Sequence, residues 1–514
     1  MGKKSFMQAM EKNQKQLTEN GAVGFVTEGH KLVDLNFAIP SFREKADTAL
    51  FEQALNEDKI LTLKWLLFLR DVRGGIGERK SFRDFMVYLA KAHEDVAVTL
   101  INGVNIAEYG RWDDILDIYF RVKSKKVQLA IRSCIIGQFV DDMKNYKEGK
   151  PISLLVKWLP SVNASSAETV KRGHIVKKWF EFNSKEYRQV LSKLRKYIDI
   201  VERKMSANEW GSIDYSAVPS KANLNYSDAF MEHDEKRRNE YLESLKKGET
   251  KINAQAMFLH DIVHKYGLLN WYNSGKHKVD DTLEALWNAQ EKVEGFENTL
   301  VVCDGSGSMT SPLGNGTSSN VTALEVACAI SLYCAQNNSG EFKNKFITFS
   351  SRPRLVNVNS DTLFGNLNIM RKYNECSDTN IEATFDLILN TAVKHNMAQE
   401  DMPKTVLIVS DMEFNMATGS GWSRVPTVNE ALFETIAKKF AKYGYVLPKL
   451  VFWNVNSRTN TIPLTENELG VILLSGFSKN LMQLVMSSEL DPYKALVKQL
   501  NVPRYAVIDK VFGK

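Results

Sequence analysis

The 514-residue sequence predicts a two-part protein, with an all-α region over residues 1–294 followed by an α/β domain over residues 295–514. Two observations lead to this prediction. Before residue 295 the apolar residues recur with the period of an α-helix, and after it short β-rich runs alternate with helical patterns. Unbroken helical periodicity is typical of helix-on-helix packing, whereas strand–helix alternation is typical of a mostly parallel sheet covered by helices.

Helical periodicity is clearest over residues 190–201, where apolar side chains recur at the spacing of one helix face. Asn183 and Glu186, three residues apart, have the spacing of a capping box that begins this helix. Because the predicted helices are joined by short polar turns, we expect stacked helix pairs of the HEAT-like repeat kind. Further helices are predicted over residues 48–70, 81–93, 112–120, 126–140, 253–265 and 280–292.

The C-terminal part contains five short runs that are rich in β-branched and aromatic residues. A Gly/Ser/Asn-rich loop over residues 310–320 follows the first of them. Strands are predicted at residues 299–303, 346–349, 406–409, 449–455 and 471–474. Helices are predicted between them, at residues 322–336, 381–394, 428–442 and 478–488.

The composition is that of an ordinary globular chain, with 44% hydrophobic and 25% charged residues. The first residues lack the apolar segment of a signal peptide, and apolar runs such as 66–69 are too short to span a bilayer. The five cysteines show no CxxC spacing and are odd in number, which favours reduced thiols. We therefore expect a cytoplasmic protein with no membrane partner.

The net charge of +6 conceals a local excess of positive charge. Residues 121–200 contain 18 Lys and Arg against 7 Asp and Glu, so the rest of the chain carries a net charge of −5. Such an excess favours binding to a polyanion, and RNA is our leading candidate. The alternative interpretation places these cations on solvated helix faces, and their clustering on one face would distinguish the two.

Phosphate binding requires Lys and Arg side chains, and residues 171–180 (KRGHIVKKWF) combine them with aromatic rings. Trp179 and Phe180 have rings that can stack on unpaired bases, although a place in the hydrophobic core is the alternative. The candidate RNA-binding residues are Arg121, Lys123, Lys125, Lys126, Lys171, Arg172, Lys177 and Lys178.

A candidate metal site directly follows the first predicted strand of the α/β part. The segment TLVVCDGSGSMT places Asp304, Ser306 and Ser308 in a D-x-S-x-S pattern. Glycines between these residues allow a sharp turn and a close approach of the backbone to a ligand. Carboxylate and hydroxyl oxygens are the hard ligands that Mg²⁺ prefers, so we predict a Mg²⁺ or Mn²⁺ site here.

This pattern resembles the metal-ion-dependent adhesion site of von Willebrand factor A domains. That site also uses a Thr from a second loop and an Asp after a third strand, and Thr379 and Asp411 stand at the matching places. The resemblance implies a Rossmann-like von Willebrand A domain in which Ser306, Ser308 and Thr379 bind the metal directly. It implies that Asp304 and Asp411 act directly or through water.

Two positions depart from the von Willebrand A pattern. Asp378 stands where the family usually has Gly before the threonine, and Met412 stands where Gly commonly follows the third-strand Asp. Glu413 comes next. The extra acidic residues would raise the affinity for a cation or repel an acidic partner, and the sequence leaves both alternatives open.

The helical part resembles the TROVE region of Ro-type ribonucleoproteins, in which a von Willebrand A domain follows. The segments that carry this resemblance are residues 69–90 (LRDVRGGIGERKSFRDFMVYLA) and 108–119 (EYGRWDDILDIY). An uncharacterised family of the same two-part layout is closer still. Its hallmarks here are residues 155–161, 186–195, 207–223 and 248–257.

The Ro resemblance implies a non-enzymatic protein that binds structured or misfolded RNA, and no RNA-contacting residue is carried over from that family. A metal-dependent protein–protein scaffold, whose ligand supplies an acidic group to the metal, is the alternative. We recognise no catalytic constellation. His260 and His264 have the spacing of a zinc-protease pair, but they lack an evident third ligand, so we interpret them as structural.

Overall fold

The computed structural model describes residues 14–270, 275–293, 298–313, 320–349, 352–374, 380–415, 431–465, 467–485 and 489–513. Contacts divide the chain into two compact units, and each is built from two separate stretches. The sheet unit comprises Met1–Trp65 and Ala254–Val502, and the helical unit comprises Leu66–Asn253 and Pro503–Lys514. Within the described residues, no helix has both the length and the apolar character needed to cross a membrane.

The α-helices occur throughout the described chain, and each helix predicted from periodicity has a counterpart, with shifted bounds. The predicted helix 253–265 begins only at Leu259, and the predicted helix 478–488 is a short α-helix over Met482–Val485. Residues 428–430 and 486–488 of the predicted helices lie outside the described residues. The predicted helix 48–70 is two helices that are separated at Asp58, whose carboxylate Oδ1 accepts a hydrogen bond from Leu61 N at 2.9 Å and begins the second helix. The helices are α1 (Lys31–Phe37), α2 (Thr48–Glu57), α3 (Lys59–Arg70), α4 (Lys80–Ala92), α5 (Glu94–Gly103), α6 (Trp112–Arg121), α7 (Lys125–Lys147), α8 (Leu155–Trp158), α9 (Ala167–Trp179), α10 (Ser184–Tyr197), α11 (Val201–Ser206), α12 (Ser220–Asn225), α13 (Ser227–Lys246), α14 (Leu259–Tyr266), α15 (Asp281–Asn288), α16 (Ala323–Asn337), α17 (Leu363–Tyr373), α18 (Ile381–Lys394), α19 (Leu432–Lys442), α20 (Met482–Val485), α21 (Pro492–Leu500) and α22 (Val507–Phe512).

The described strands form a two-stranded hairpin and a six-stranded mixed sheet, both in the sheet unit. The order of the larger sheet is β5-β4-β3-β6-β7-β8, and every neighbouring pair in it is parallel except β4 with β5. The five strands predicted from sequence are therefore confirmed. The strands are β1 (Lys15–Leu17), β2 (Val23–Phe25), β3 (Thr299–Asp304), β4 (Lys345–Phe349), β5 (Arg354–Asn357), β6 (Thr405–Ser410), β7 (Lys449–Asn454) and β8 (Val471–Ser475).

The three central strands are predictable because both of their faces are buried. All residues of β3 and β7 are buried, as is nearly all of β6, so each reads as a short continuous apolar run. The edge strand β5 was not predicted, since three of its four residues are exposed and its sequence RLVN carries little hydrophobic signal. The hairpin of β1 and β2 is too short to have a period of its own.

The helical unit is built from helices that pack on their near neighbours along the chain. Helix α4 contacts α5 and α6, and the long helix α7 contacts the same two. Helix α22 returns from the far end of the sequence to pack on α5, where the Val511 side chain lies directly over Gly103. The division of these helices into HEAT-like pairs stays a prediction.

The compact units do not coincide with the predicted boundary at residues 294 and 295. Helix α1 packs on β8. The Phe37 carbonyl oxygen accepts hydrogen bonds from Asn454 Nδ2 of β7 at 2.9 Å and from Ser475 Oγ of β8 at 2.6 Å. Helix α14 packs on α16 in the same way. Periodicity identifies a helix but not the element that covers its apolar face. The sequence pattern therefore changes where the sheet begins, near residue 295, whereas the compact units are separated at other positions along the chain.

Candidate metal centre and nucleic-acid interface

The candidate metal centre lies at the carboxyl ends of β3 and β6, which are parallel neighbours in the sheet. Their register pairs Cys303 with Val409. Asp304 is the last residue of β3, and Asp411 directly follows β6. Parallel strands end at the same edge of a sheet, so the register brings these two predicted carboxylates together at the position where α/β sheets bind ligands.

Asp304 is fully buried and organises the loop that carries the two serines. Its Oδ1 accepts a hydrogen bond from Ser306 N at 2.8 Å, and its Oδ2 accepts one from Ser410 Oγ at 2.5 Å. The Ser306 and Ser308 hydroxyl oxygens lie 3.1 Å apart. Three of the predicted ligands thus come from one tight turn whose oxygen atoms converge.

The charges at this centre are unbalanced. Burial, together with the negative charge of Asp411, raises the pKa of Asp304. Burial also raises the pKa of Asp411, while Arg458 opposes the rise. Among the described residues, Asp411 Oδ2 accepts no hydrogen bond, and Arg458 Nη1 lies 3.4 Å away, beyond an ordinary hydrogen bond. Two buried carboxylates beside one guanidinium, with hydroxyls at hand, are a donor set that suits a hard divalent cation.

The fourth predicted metal ligand, Thr379, lies outside the described residues, as does Asp378. The described residues on either side of that loop place its two ends. A β-carbon on Gly305 would lie 3.1 Å from Asn374 Oδ1, so Asn374 lies beside the Asp304 turn. At its other end Asn380 caps α18 by accepting a hydrogen bond from Ala383 N at 3.0 Å. In the described part of the chain, no cluster of three His, Cys, Asp or Glu side chains is placed to hold a metal.

Met412 has a backbone conformation that explains why Gly is common at this position in the family it resembles. Its φ is +64°, in the left-handed region, and its side chain is fully buried. Its N–H donates to Ser410 Oγ at 3.0 Å, which is the same hydroxyl that donates to Asp304. A left-handed non-glycine residue costs roughly 1–2 kcal/mol, and burial of the Met412 side chain offsets that cost.

Glu413, which the sequence marked only as an extra acid near the metal, is engaged elsewhere. This fully buried carboxylate accepts hydrogen bonds from the backbone N–H groups of Glu19 at 2.7 Å, Arg458 at 2.8 Å and Thr459 at 2.9 Å. It ties the segment before β2 to the loop after β7. Sequence reasoning missed this role of Glu413, because the backbone N–H groups that donate to a buried carboxylate leave no pattern in the sequence.

A cavity of about 500 Å³ opens beside the candidate metal centre within the sheet unit. Ser308, Arg458, Glu19 and Glu44 contribute to its walls. The Glu19 carboxylate accepts a hydrogen bond from Arg458 Nε, so the cationic side of the cavity is already paired with an acidic group of the chain itself. The cavity therefore brings a paired guanidinium and the hydroxyl of Ser308, a predicted metal ligand, to the same space.

The cations that were predicted from sequence to bind RNA do not line one common groove. Arg121 is paired with Asp84 and Asp117, and Lys126 with Glu94. Lys177 Nζ donates to Ser184 Oγ at 2.8 Å, and Arg172 Nε pairs with Glu168 at 3.0 Å. The other four are exposed, and they are Lys123, Lys125, Lys171 and Lys178.

The two aromatic residues of the same segment take the alternative role of core residues. Trp179 is 6% exposed and meets Tyr119 edge-on, with ring centroids 4.6 Å apart. Phe180 is half-buried against Phe139, with centroids 4.3 Å apart. Trp179 is unable to stack on a base without leaving the core, and Phe180 packs on Phe139.

A different set of cations lies together along helix α10. Lys185, Arg188, Lys193 and Lys196 are all exposed and line one groove of about 1010 Å³ in the helical unit. Their spacing of i, i+3, i+8 and i+11 follows one stripe of a helix. None of the described residues along the groove is acidic. We call this feature the basic groove.

Arg195 sits at one end of the basic groove and is held by neutral oxygens. It donates to the carbonyl oxygens of Val156 at 2.8 Å and Leu159 at 2.6 Å, and to Ser161 Oγ at 2.8 Å. Burial lowers its pKa. Because neutral groups satisfy its hydrogen bonds, its positive charge adds to the potential of the groove.

The His260 and His264 pair has the structural role that the sequence suggested. His264 Nδ1 lies 2.9 Å from Glu325 Oε1, and Glu325 in turn accepts a hydrogen bond from the N-cap Thr322 N at 2.8 Å. His260 is buried and stacks on Phe258, with ring centroids 5.2 Å apart. The two histidines thus stabilise the start of α16 and the adjacent core.

Two family models match the chain, one for each of its predicted parts. Residues 18–138 and 163–295 match a domain of unknown function, DUF2828, and residues 298–501 match a second domain of unknown function, DUF7788. The models meet close to the boundary that the sequence pattern predicts. They carry no description of activity.

An uncharacterized protein of Acanthamoeba polyphaga mimivirus is 29% identical over 532 residues, covering 96% of this chain and 88% of the viral protein. Among solved structures, the crystal structure of the Deinococcus radiodurans Ro (RSR) protein aligns over 89% of this chain and 99% of that one. The identity is 12% and the TM-score 0.44.

Proposed function

We propose that this chain is a non-enzymatic RNA-binding protein whose basic groove holds the RNA backbone. The observation that carries the proposal is the stripe of Lys185, Arg188, Lys193 and Lys196, which faces a groove with no acidic wall residue among those described. The resemblance to Ro-type sequences points in the same direction. Binding of structured or misfolded RNA in particular is part of the proposal.

The stripe has an energetic cost that an anion would offset. Lys185 and Arg188 are three residues apart, as are Lys193 and Lys196, so like charges are neighbours on the helix surface and repel. No described carboxylate lines the groove to relieve this repulsion. With a rise of about 1.5 Å per residue, the stripe extends roughly 16 Å along α10. That length suits a polyanion with several phosphates rather than a single ion.

The test is the salt dependence of RNA binding. We expect Ala at Lys185, Arg188, Lys193 and Lys196 together to weaken binding of a single-stranded RNA. The log–log salt slope should flatten by up to about 3 units, at roughly 0.7 for each phosphate that the protein no longer neutralises. The measurement is a filter-binding series over several salt concentrations.

A second quadruple variant serves as the matched control, since it removes the same charge from exposed or half-buried cations outside the groove. Its positions are Lys123, Lys171, Lys177 and Lys178. This variant should change the slope less. A larger effect in the control would move the RNA site to the cations predicted from sequence, and a wild type that binds no RNA at low salt would refute the function.

We also propose that the sheet unit contains a von Willebrand A-type domain whose metal centre holds Mg²⁺ or Mn²⁺. Ser306, Ser308 and Thr379 would bind the ion directly, with Asp304 and Asp411 acting directly or through water. The converging serine hydroxyls and the unsatisfied Asp411 Oδ2 support this assignment. The bound ion would supply a Lewis-acid position for an anionic ligand.

Titration calorimetry with Mg²⁺ and Mn²⁺ tests the metal centre. Wild type should take up one ion, and Asp304→Ala should lose that uptake. Asp361→Ala, which removes an exposed carboxylate of the same unit, is the control and should behave as wild type. Identical uptake by the Asp304 variant would show that the assignment is wrong.

A metal-dependent scaffold for acidic protein ligands is the second candidate function. The cavity beside Ser308 favours it, because Arg458 and the metal centre would both face a ligand carboxylate there. A hexaglutamate peptide should then bind in Mg²⁺ and dissociate in EDTA. If RNA binding fails and peptide binding requires both the metal and Asp304, the scaffold function replaces the RNA function.

A further inference from the structure

A second pocket, of about 660 Å³, adjoins the basic groove within the helical unit. The two share Ser161 and Arg195 in their walls, so the pocket and the groove are immediate neighbours. The volume lies within the ordinary range of small-molecule sites.

The pocket differs from the groove in its chemistry. Its walls include the rings of Phe120 and Trp158, four cations and three carboxylates. The carboxylates are paired within the protein, Asp113 and Asp117 with Arg83 and Glu202 with Lys157. Because these charges are already paired, the pocket attracts a phosphate less than the basic groove does, and its rings suit a flat, neutral group.

The aromatic rings of the pocket are held by cations. Both rings are half-buried. The Arg172 guanidinium lies 4.8 Å from the Phe120 ring centroid, and the Arg111 guanidinium lies 5.5 Å from the Trp158 centroid. Bases stack on aromatic rings and on guanidinium planes alike, so this wall offers a stacking surface that is already ordered.

Asp113 carries an acceptor that the protein leaves unused. Its Oδ2 accepts a hydrogen bond from Arg83 Nη2 at 2.8 Å. Its Oδ1 is buried and receives no hydrogen bond from the described residues. An unsatisfied buried acceptor is costly. The Asp113 side chain as a whole is 21% exposed, so a rotation of its carboxylate would present an oxygen to a ligand N–H.

We propose that this pocket binds one unpaired base of a single-stranded RNA whose backbone occupies the basic groove. The base stacks on the wall of Phe120 and Trp158, and an N–H of its edge donates to Asp113. The inference rests on the proposed RNA-binding function and names its substrate class. A paired base is unable to enter, because its hydrogen-bonding edge is used and it stays stacked within the duplex.

The experiment compares RNAs that have nearly equal phosphate charge but differ in their bases. The probes are a 12-nucleotide oligoadenylate, an abasic ribose-phosphate 12-mer and a blunt 6-base-pair G·C duplex, each followed by fluorescence anisotropy. Stacking of a base on an aromatic side chain predicts that wild type binds the oligoadenylate roughly 5- to 150-fold more tightly than the abasic strand. The duplex should bind no more tightly than the abasic strand.

Three variants locate the effect. Trp158→Ala should abolish the preference for bases while leaving the salt slope unchanged. Asp113→Asn should reduce the preference for oligoadenylate without abolishing stacking. Trp210→Ala, which removes a half-buried tryptophan of the same unit outside the pocket, is the control and should keep the full preference. Circular dichroism identifies any variant that fails to fold.

The outcomes separate the two proposals. If wild type binds the abasic strand as tightly as the oligoadenylate, with a steep salt dependence, the base pocket is refuted and the groove stands. Preference for the duplex would refute the pocket in the same way. If none of the three probes binds at low salt, the RNA-binding function itself fails. Loss of the base preference in the Trp210 control as well would overturn the assignment to this pocket.

Discussion

The contact between Arg504 and Asp71 predicts that the C-terminal segment stabilises the helical unit. Asp71 is fully buried and accepts hydrogen bonds from Arg504 Nε and Nη2, the latter at 2.7 Å, and from Tyr505 Oη at 3.0 Å. Arg504→Ala leaves this carboxylate buried with its charge partner removed. We expect the free energy of unfolding of the helical unit to fall.

The magnitude follows from the exposure of the pair. Breaking a fully buried ion pair costs about 3–5 kcal/mol, and a hydrogen bond to a charged group contributes about 1.5–3 kcal/mol. The Arg504 side chain is 34% exposed, so solvent already screens part of the interaction. We therefore expect a loss of about 2 kcal/mol. Lys510→Ala, an exposed cation of the same segment, should change stability by less than about 0.5 kcal/mol.

Hydrogen exchange measured by mass spectrometry in increasing urea resolves the stability of α5 separately from that of the sheet unit. The double variant Asp71→Asn with Arg504→Ala is the decisive comparison. Removing the buried charge should make it no less stable than Arg504→Ala alone. Unchanged exchange in α5 for Arg504→Ala, or a double variant that is much less stable, would refute the reasoning.

Two further predictions concern glycine and a titrating carboxylate. Gly75→Ala should destabilise the helical unit by about 1–3 kcal/mol in urea unfolding, since a β-carbon would lie 2.0 Å from the Phe68 carbonyl oxygen. Gly137→Ala, in the open interior of α7, should instead stabilise it by about 0.5–1 kcal/mol. If both substitutions changed the free energy of unfolding in the same direction, this account would be contradicted. For Glu57, burial raises the pKa, but hydrogen bonds from His30 and the Lys31 N–H lower it by more, so the net shift is downward. Its stabilising contribution is present above the unfolded pKa and is lost as the pH falls through the folded one. In thermal unfolding, the stability of the Glu57→Gln variant should therefore fall less than that of wild type between about pH 5 and pH 3. Parallel pH profiles of the two proteins would contradict this prediction.

The helical and sheet elements could be predicted because their buried faces require apolar residues at regular positions in the sequence. Strand β3 is buried on both faces, so it appears as an apolar run, and α10 begins at the Asn183 and Glu186 capping box that the spacing indicated. Strand β5 and helix α22 have no such mark. Their stability comes from contacts with residues that are distant in the chain, which a single sequence does not reveal.

The metal centre was more accessible to sequence reasoning than the nucleic-acid interface. Asp304, Ser306 and Ser308 lie within one turn, so their spacing fixes their convergence. The predicted RNA-binding residues include adjacent pairs such as Lys177 and Lys178, but adjacent residues of a helix point in different directions. Helical periodicity, applied to the cations as it was to the apolar residues, would have identified the stripe along α10.

The return of the C-terminal segment to the helical unit has a consequence for how the protein is made. Residues 66–253 leave the ribosome before the segment that packs on α5 and holds Asp71. At roughly 5–20 residues per second, synthesis of the intervening residues 254–502 takes on the order of tens of seconds. During that interval Asp71 and the surface of α5 lack their partner. We therefore expect chaperones to bind the exposed surface of the nascent helical unit until the C-terminal segment has been synthesised and packs on it.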